Sequence, residues 1–144
     1  MCSYCGCDAV ECVGRFMDDH VDLVNRTGEL RHACEGGDSA QVGRAADHLD
    51  ALLAPHAQAE EAGIFTVLGE REEFAPTVER LIGEHRRIDE LLAAVRADPS
   101  AFRAFETLLR DHFDREENGL FPAAAIELAD GEWERVHDLT PPAR

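Results

Sequence analysis

A ten-residue pattern that occurs twice most constrains the fold of this chain. Residues 56–65 and 112–121 both read H-x-x-x-E-E-x-G-(I or L)-F. In a helix, a histidine and a glutamate four residues apart lie on one face, about 6 Å apart along the axis. Both side chains can therefore ligate one metal ion or one compact metal cluster. A single copy is a weak signal among 30 acidic residues, whereas two copies with matching flanks are a strong one.

The apolar residues around the pattern recur at helical spacing and predict four amphipathic helices. We expect them over about residues 11–33, 39–68, 74–97 and 100–128, with a short extra helix over 131–136. Asp38 or Ser39 is the expected N-cap of the second helix, and Pro55 should bend that helix beside His56. Pro122 marks a bend or an end of the fourth helix. Short turns between these helices predict an all-α, up-down-up-down four-helix bundle.

Length and charge narrow the class of protein. The 144 residues suit one bundle over residues 13–130, preceded by a cysteine-rich segment (1–12) and followed by a C-terminal helix and tail (131–144). A net charge of −16, without a single lysine, disfavours nucleic acid and anionic membranes as partners. We find no signal peptide and no apolar run long enough to span a membrane, and therefore expect a cytoplasmic protein.

Four of the seven histidines fall on the apolar faces, one on each helix: His20, His56, His85 and His112. One such histidine is usually a core residue with a hydrogen-bond partner. Four together with two glutamates would form a buried polar cluster that a bound cation satisfies at once. The other three, His32, His48 and His137, are expected at the surface or at the ends of the bundle.

The two halves of the chain also match as units. Asp19-His20 precedes the first copy of the pattern, and Glu84-His85 precedes the second. Two helical hairpins related by an approximate twofold axis would bring four histidines and two glutamates, Glu60 and Glu116, together at the bundle centre. Such mixed ligands suit iron and, less exclusively, manganese or zinc.

These residues resemble the hemerythrin HHE cation-binding family. The resemblance covers roughly residues 16–121 and includes the L-F-P sequence at 120–122. It implies a non-haem centre of two iron ions, joined by an oxo or hydroxo group, inside a four-helix bundle. Carried over residue by residue, it makes the four histidines terminal iron ligands and makes Glu60 and Glu116 the bridging carboxylates. We expect Glu61 and Glu117 to be surface acids or acids that support the ligands.

One position departs from the family's oxygen carriers, which have a fifth histidine four residues after the one on the third helix. This chain has Asp89 there. Asp89 is interpreted as an anionic ligand, as an acceptor that orients His85, or as a solvated surface residue. With fewer imidazoles, the site should favour Fe(III) and be a poorer reversible oxygen carrier.

Four of the five cysteines crowd the N-terminus: Cys2, Cys5, Cys7 and Cys12. Their spacing fits no standard zinc finger. We keep three interpretations open, namely a site for zinc or another metal, redox-active or disulfide-forming thiols, and a frayed tail without a defined role. Cys34 is expected to be a small side chain that is at least half-buried.

Two classes of function fit these features. The first is a di-iron oxidoreductase that reacts with dioxygen, peroxide or nitric oxide; similar proteins have been linked to peroxide turnover and nitrosative-damage repair. The second is a carrier, store or sensor of oxygen, nitric oxide or iron without turnover, with the N-terminal cysteines as its output. A structural bundle with an adventitious zinc site ranks last. We expect a monomer or a weak homodimer.

Overall fold

The computed structural model describes residues 7–143 of the chain, and side chains from residue 11 onward. All regular elements within this range are helices. Seven α-helices follow one another along the described residues: α1 (Cys7–Gly36), α2 (Ser39–Ala62), α3 (Ile64–Gly69), α4 (Ala75–Ala97), α5 (Phe102–Arg115), α6 (Phe121–Glu127) and α7 (Asp130–Leu139). A single 3-10 turn (Pro99–Ala101) precedes α5, and a π-helical turn (Glu116–Leu120) joins α5 to α6.

The long helices pack together as a helical bundle. α1 packs on α2, α4 packs on α5, and the two pairs meet through contacts of α2 with α4 and of α1 with α5. α7 covers one end of this bundle, where it contacts α1 and α3. Trp133 of α7 is buried, as a cover for the end of the bundle requires. None of the described helices is long and apolar enough to cross a membrane.

Two apolar clusters form the core. The first includes Phe16, Ala59, Leu81 and Phe121 at the end covered by α7. The second fills the other half of the bundle and includes Leu23, Leu53, Ile88 and Leu109. Each fully buried leucine, isoleucine or phenylalanine of these clusters contributes about 1.5–3 kcal/mol to stability. The clusters meet at the level of the four inward histidines, so the polar centre lies between two apolar regions.

Local sequence features explain several helix ends, and the predicted N-cap of the second helix is among them. Asp38 is the N-cap of α2, and its Oδ1 accepts a hydrogen bond of 2.9 Å from the Ala40 amide. Gly37 ends α1 with a φ of +74°, a conformation that favours glycine. Pro76 lies in the first turn of α4, where its missing N–H leaves no helical bond unmade.

The two helices that carry the repeated pattern differ from the prediction. The expected second helix (39–68) breaks at Gly63, where α2 ends and α3 begins, while Pro55 lies inside α2. The expected fourth helix contains the π-helical turn, and Pro122 lies in the first turn after it. α1 spans Cys7–Gly36, four residues more than expected at its N-terminal side, so the backbone of both Cys7 and Cys12 is helical.

Candidate metal centre

The six predicted donors come from the four long helices and from the π-helical turn, and they meet at the centre of the bundle. His20 lies on α1, His56 and Glu60 on α2, His85 on α4 and His112 on α5, while Glu116 begins the π-helical turn. All six are buried, and both glutamates have 0% of their surface exposed. The residues that sequence spacing singled out are therefore brought together.

The donors form two sets that share both carboxylates. His20 and His56 belong to one set and His85 and His112 to the other, and each set has its ligand atoms within 4.8 Å of one another. Glu60 directs Oε2 to His56 Nε2 at 3.3 Å and Oε1 to His85 Nε2 at 3.2 Å. In the same way, Glu116 directs Oε1 to His20 Nε2 at 3.1 Å and Oε2 to His112 Nε2 at 3.3 Å. Each of these two carboxylates thus has one oxygen near each pair of histidines.

Most of these inward atoms have no hydrogen bond. His20 Nε2, His56 Nε2 and all four oxygens of the two glutamates are buried without a partner of suitable geometry, despite their short separations. An unpaired polar group in a protein interior costs several kcal/mol, and an unpaired charge costs more. Imidazole nitrogens and carboxylate oxygens are metal ligands, so cations placed between them would satisfy all six atoms. The donor set therefore fits the metal that it was predicted to bind.

The outward nitrogen of every inward histidine is held by a carboxylate. His56 Nδ1 lies 2.9 Å from Asp19 Oδ2, and His112 Nδ1 lies 2.9 Å from Glu84 Oε1. A carboxylate accepts a hydrogen bond from Nδ1–H, which leaves Nε2 with its lone pair directed to the centre. Glu84 is itself held by the guanidinium group of Arg115.

The remaining two histidines are held by acids from the opposite hairpin. Glu61, on α2, lies 2.6 Å from His85 Nδ1 on α4. Glu117, beside Glu116, lies 2.9 Å from His20 Nδ1 on α1. Glu61 and Glu117 were expected to be surface or supporting acids, and the geometry gives them the supporting position. The hairpins thus exchange two of their four supporting carboxylates.

Sequence reasoning missed the role of Asp19 and Glu84. The matching Asp-His and Glu-His dipeptides were evident, but each acid holds the histidine of the next helix rather than its own neighbour. It also missed the stacking of His20 on Phe113, with ring centroids 3.9 Å apart. The repeated dipeptide was the available signal, because an acidic residue directly precedes the inward histidine of the first helix in both halves.

Charge coupling at the centre is strong. Burial alone would lower the pKa of His56, but Glu60 and Asp19 outweigh it and raise that pKa to about 10. Burial likewise opposes the charged form of His112, and Glu116 and Glu84 raise its pKa to about 9. Burial would raise the pKa of Glu60, yet the neighbouring His56 holds it well below the ordinary range. In the metal-free protein, the protons on His56 and His112 therefore partly take the place of a bound cation.

Asp89 lies outside both donor sets. It is an exposed residue on α4, and Glu61 rather than Asp89 holds His85 Nδ1. In the structure the acceptor that orients His85 is therefore Glu61. Asp89 does line a small cavity of about 10 Å³ together with His56, His85 and His112.

The other candidate residues do not join the centre. His32, His48 and His137 are exposed, as predicted, although His137 lies in α7 rather than in the tail. Cys12 and Cys34 are free thiols of intermediate exposure.

Burial raises the pKa of Cys12 to about 12, so this thiol stays protonated at neutral pH, which disfavours a thiolate ligand there. Cys2 and Cys5 and the side chain of Cys7 lie outside the described residues, and their predicted roles remain predictions.

Comparison with known proteins adds one finding. Searches of curated proteins and of solved structures found no significant match. The family model of the hemerythrin HHE cation-binding domain matches residues 13–124, which include all six donors and the four carboxylates that support the histidines. The chain belongs to the hemerythrin HHE cation-binding domain family.

Proposed function

We propose that this protein is a non-haem di-iron protein that binds or reacts with a small molecule, namely dioxygen, hydrogen peroxide or nitric oxide. One observation carries the proposal: two sets of buried donors share both carboxylates, and six of their inward atoms lack hydrogen-bond partners. Glu60 and Glu116 would together hold two iron ions, with His20 and His56 holding one ion and His85 and His112 the other.

The donor chemistry supports iron over other metals. Each set offers two imidazole nitrogens and one oxygen from each of two carboxylates, a mixture typical of non-haem iron sites with open coordination positions. Zinc in structural sites prefers four tetrahedral ligands with cysteine among them, and no cysteine belongs to either set. Bound iron would supply the exchange of electrons with a small molecule, which these side chains cannot provide by themselves.

The residues of the chain hold and shield the centre. Asp19, Glu61, Glu84 and Glu117 keep Nδ1 protonated, so that each Nε2 can bind metal. The aromatic rings of Phe113 and Phe121 stack beside His20 and keep that side of the centre apolar. The cavity beside the histidines has about the volume of one water molecule, which favours diatomic molecules and peroxide over larger substrates.

The wider setting is part of the proposal. The contacts among the long helices support the up-down-up-down order. The net charge of −16 supports a protein that binds neither nucleic acid nor anionic membranes. We propose a cytoplasmic monomer or weak homodimer.

Metal analysis combined with absorption spectroscopy tests the proposal. We expect about two iron ions per chain and near-ultraviolet charge-transfer bands that change when peroxide is added. Glu60→Ala should remove both the iron and the bands. His48→Ala is the matched control, because His48 is exposed and pairs only with Glu29 at the surface. Zinc as the only bound metal, or iron retained by Glu60→Ala, would contradict the proposal.

Turnover separates an enzyme from a carrier or sensor. Catalytic loss of peroxide or nitric oxide that disappears in His112→Ala supports the oxidoreductase. A reversible spectral change without turnover supports the carrier or sensor instead.

A further inference from the structure

The small cavity beside the metal centre has one charged residue at its outer side. Buried apolar side chains and three of the inward histidines form most of its wall: Leu53, Ile88, Leu109, Phe113, His56, His85 and His112. Only Ala57 and Asp89 among the lining residues reach the surface, and Asp89 is the more exposed of the two. This side of the cavity therefore faces solvent, and Asp89 is the carboxylate at its mouth.

Two other carboxylates lie near enough to act on Asp89. Burial, followed by the nearby Asp50 carboxylate, raises the pKa of Asp89; the charge of His85 opposes this rise and Glu61 adds to it. Among these carboxylates, Asp89 is the one that lines the cavity itself. No arginine among the residues that the structure describes lines the cavity. A negative field at a narrow, poorly hydrated opening acts more strongly than the same charge in open water.

From these positions we infer that Asp89 is a specificity-determining residue, whose carboxylate excludes small anions from the cavity and so favours neutral molecules at the metal centre. The inference rests on the proposed function, since it concerns the approach to the proposed iron site. It gives Asp89 a role in selection without contact with the metal. It also separates the candidate molecules by charge, because dioxygen, nitric oxide and hydrogen peroxide are neutral, whereas superoxide, nitrite and azide are anions.

Azide is a suitable anionic probe, and nitric oxide is a suitable neutral probe. The affinity of the iron-loaded protein for each is measured by absorption at about pH 8, well above the ordinary pKa of a carboxyl group. We expect Asp89→Asn to bind azide roughly tenfold more tightly, because it removes a unit charge several ångströms from the bound anion. Its affinity for nitric oxide should stay unchanged. The difference in azide affinity should shrink at about 1 M salt, because ions screen the mouth of the cavity.

Two control variants separate a local charge effect from a general one. Glu90→Gln changes the net charge by the same amount on the next residue of α4, where Glu90 is exposed and pairs with Arg87. It should leave azide affinity unchanged. Asp89→Glu keeps the charge and should bind azide weakly, as the unmodified chain does. Iron content and thermal unfolding of each variant show whether the centre and the fold are intact.

The outcomes distinguish the two proposals. Equal azide affinity in the unmodified chain and Asp89→Asn, with iron bound in both, would overturn the role of Asp89 and leave the di-iron proposal standing. An equal gain for azide and nitric oxide would also overturn it, because that result indicates steric rather than electrostatic selection. A chain that binds no iron would overturn both proposals.

Discussion

The two copies of the repeated pattern reach the same donor geometry through different backbones. Glu60 and Glu116 are equally buried, and each directs one oxygen to either donor set. After Glu60 the helix ends and restarts around Gly63, whereas after Glu116 the chain continues through a π-helical turn. The comparison shows that the positions of the side chains, rather than the backbone conformation, are what the two copies share.

The glycine of the pattern has a different environment in each copy. A Cβ at Gly63 would overlap Thr140 Oγ1 and lie 3.2 Å from the carbonyl oxygen of Val136, both at the end of α7. A Cβ at Gly119 would meet nothing within 4 Å. The first glycine permits the close approach of a distant helix, while the second lies in a π-helical turn, a feature often found at functional sites.

The largest expected effect is the loss of bound iron when the glutamate of either copy is replaced, which tests whether the two glutamates contribute equally to metal binding. Glu60→Ala and Glu116→Ala should each reduce bound iron from about two ions per chain to nearly none, because each carboxylate serves both sets. His56→Ala and His112→Ala should each weaken only one position. Iron content after dialysis measures this directly. A glutamate variant that keeps one tightly bound ion would show that its carboxylate serves one metal only.

The next largest effect is a loss of iron affinity when a supporting acid is replaced by its amide at either of two equivalent positions. Asp19→Asn and Glu84→Gln should weaken iron binding by roughly 10–100-fold, because they disturb the orientation of His56 and His112. The effect of Glu84→Gln should be the larger, since Glu84 also binds Arg115. Competition with a chelator measures the affinities.

Glu79→Gln, at an exposed position of the same helix α4, is the control for this pair. It should bind iron as the unmodified chain does. Equal losses in Glu79→Gln and Glu84→Gln would show that net charge, rather than orientation of the ligands, sets the affinity.

Substitution of the two glycines by alanine should have opposite effects on stability. Gly63→Ala should lower the free energy of unfolding by about 1–3 kcal/mol, because the new methyl group would overlap the Thr140 hydroxyl and crowd the Val136 carbonyl oxygen. Gly119→Ala should be neutral or stabilise by up to about 1 kcal/mol, since alanine favours helix and has open space. Urea unfolding of both variants measures the difference.

The double variant Gly63→Ala/Thr140→Ala identifies the source of the strain at Gly63. It should recover part of the loss if the Thr140 hydroxyl is the main obstacle. Recovery of nothing would assign the strain to the backbone of α7.

The smallest difference concerns protonation of the metal-free protein. The pKa values of His56 and His112 both lie above the ordinary histidine value of about 6.5. Each protonated histidine therefore stabilises the metal-free fold most fully below that pH. The contribution is lost as the pH rises through about 9 for His112 and about 10 for His56. Nuclear magnetic resonance titration of the imidazole protons should show His112 losing its proton first. Titration of both near the ordinary value would contradict the coupling to Glu60 and Glu116.

Local features of the sequence were sufficient to predict the main helices and the inward donors. Apolar spacing placed His20 and His85 on inward faces, and the side chain of Asp38 was recognised as a helix cap. The six donors follow from the same periodicity, because a buried helical face determines which residues can meet.

Features that depend on distant packing could not be predicted. The break at Gly63 reflects the packing of α7, more than seventy residues later, and the equivalent Gly119 carries no sign of the π-helical turn. Likewise, spacing shows that Glu61 lies beside Glu60 but does not show that its carboxylate reaches across to His85. Pairing between hairpins is decided by tertiary contacts, which a periodic pattern does not contain.

The exchange of Glu61 and Glu117 between the hairpins has a consequence for what one hairpin can do alone. A single hairpin of this kind would contain two inward histidines and one inward glutamate, but one histidine would lack its supporting acid. Two identical hairpins assembled around a twofold axis would supply that acid to each other. The smallest assembly that holds all four inward histidines in place is therefore a pair of hairpins, whether in one chain or in two.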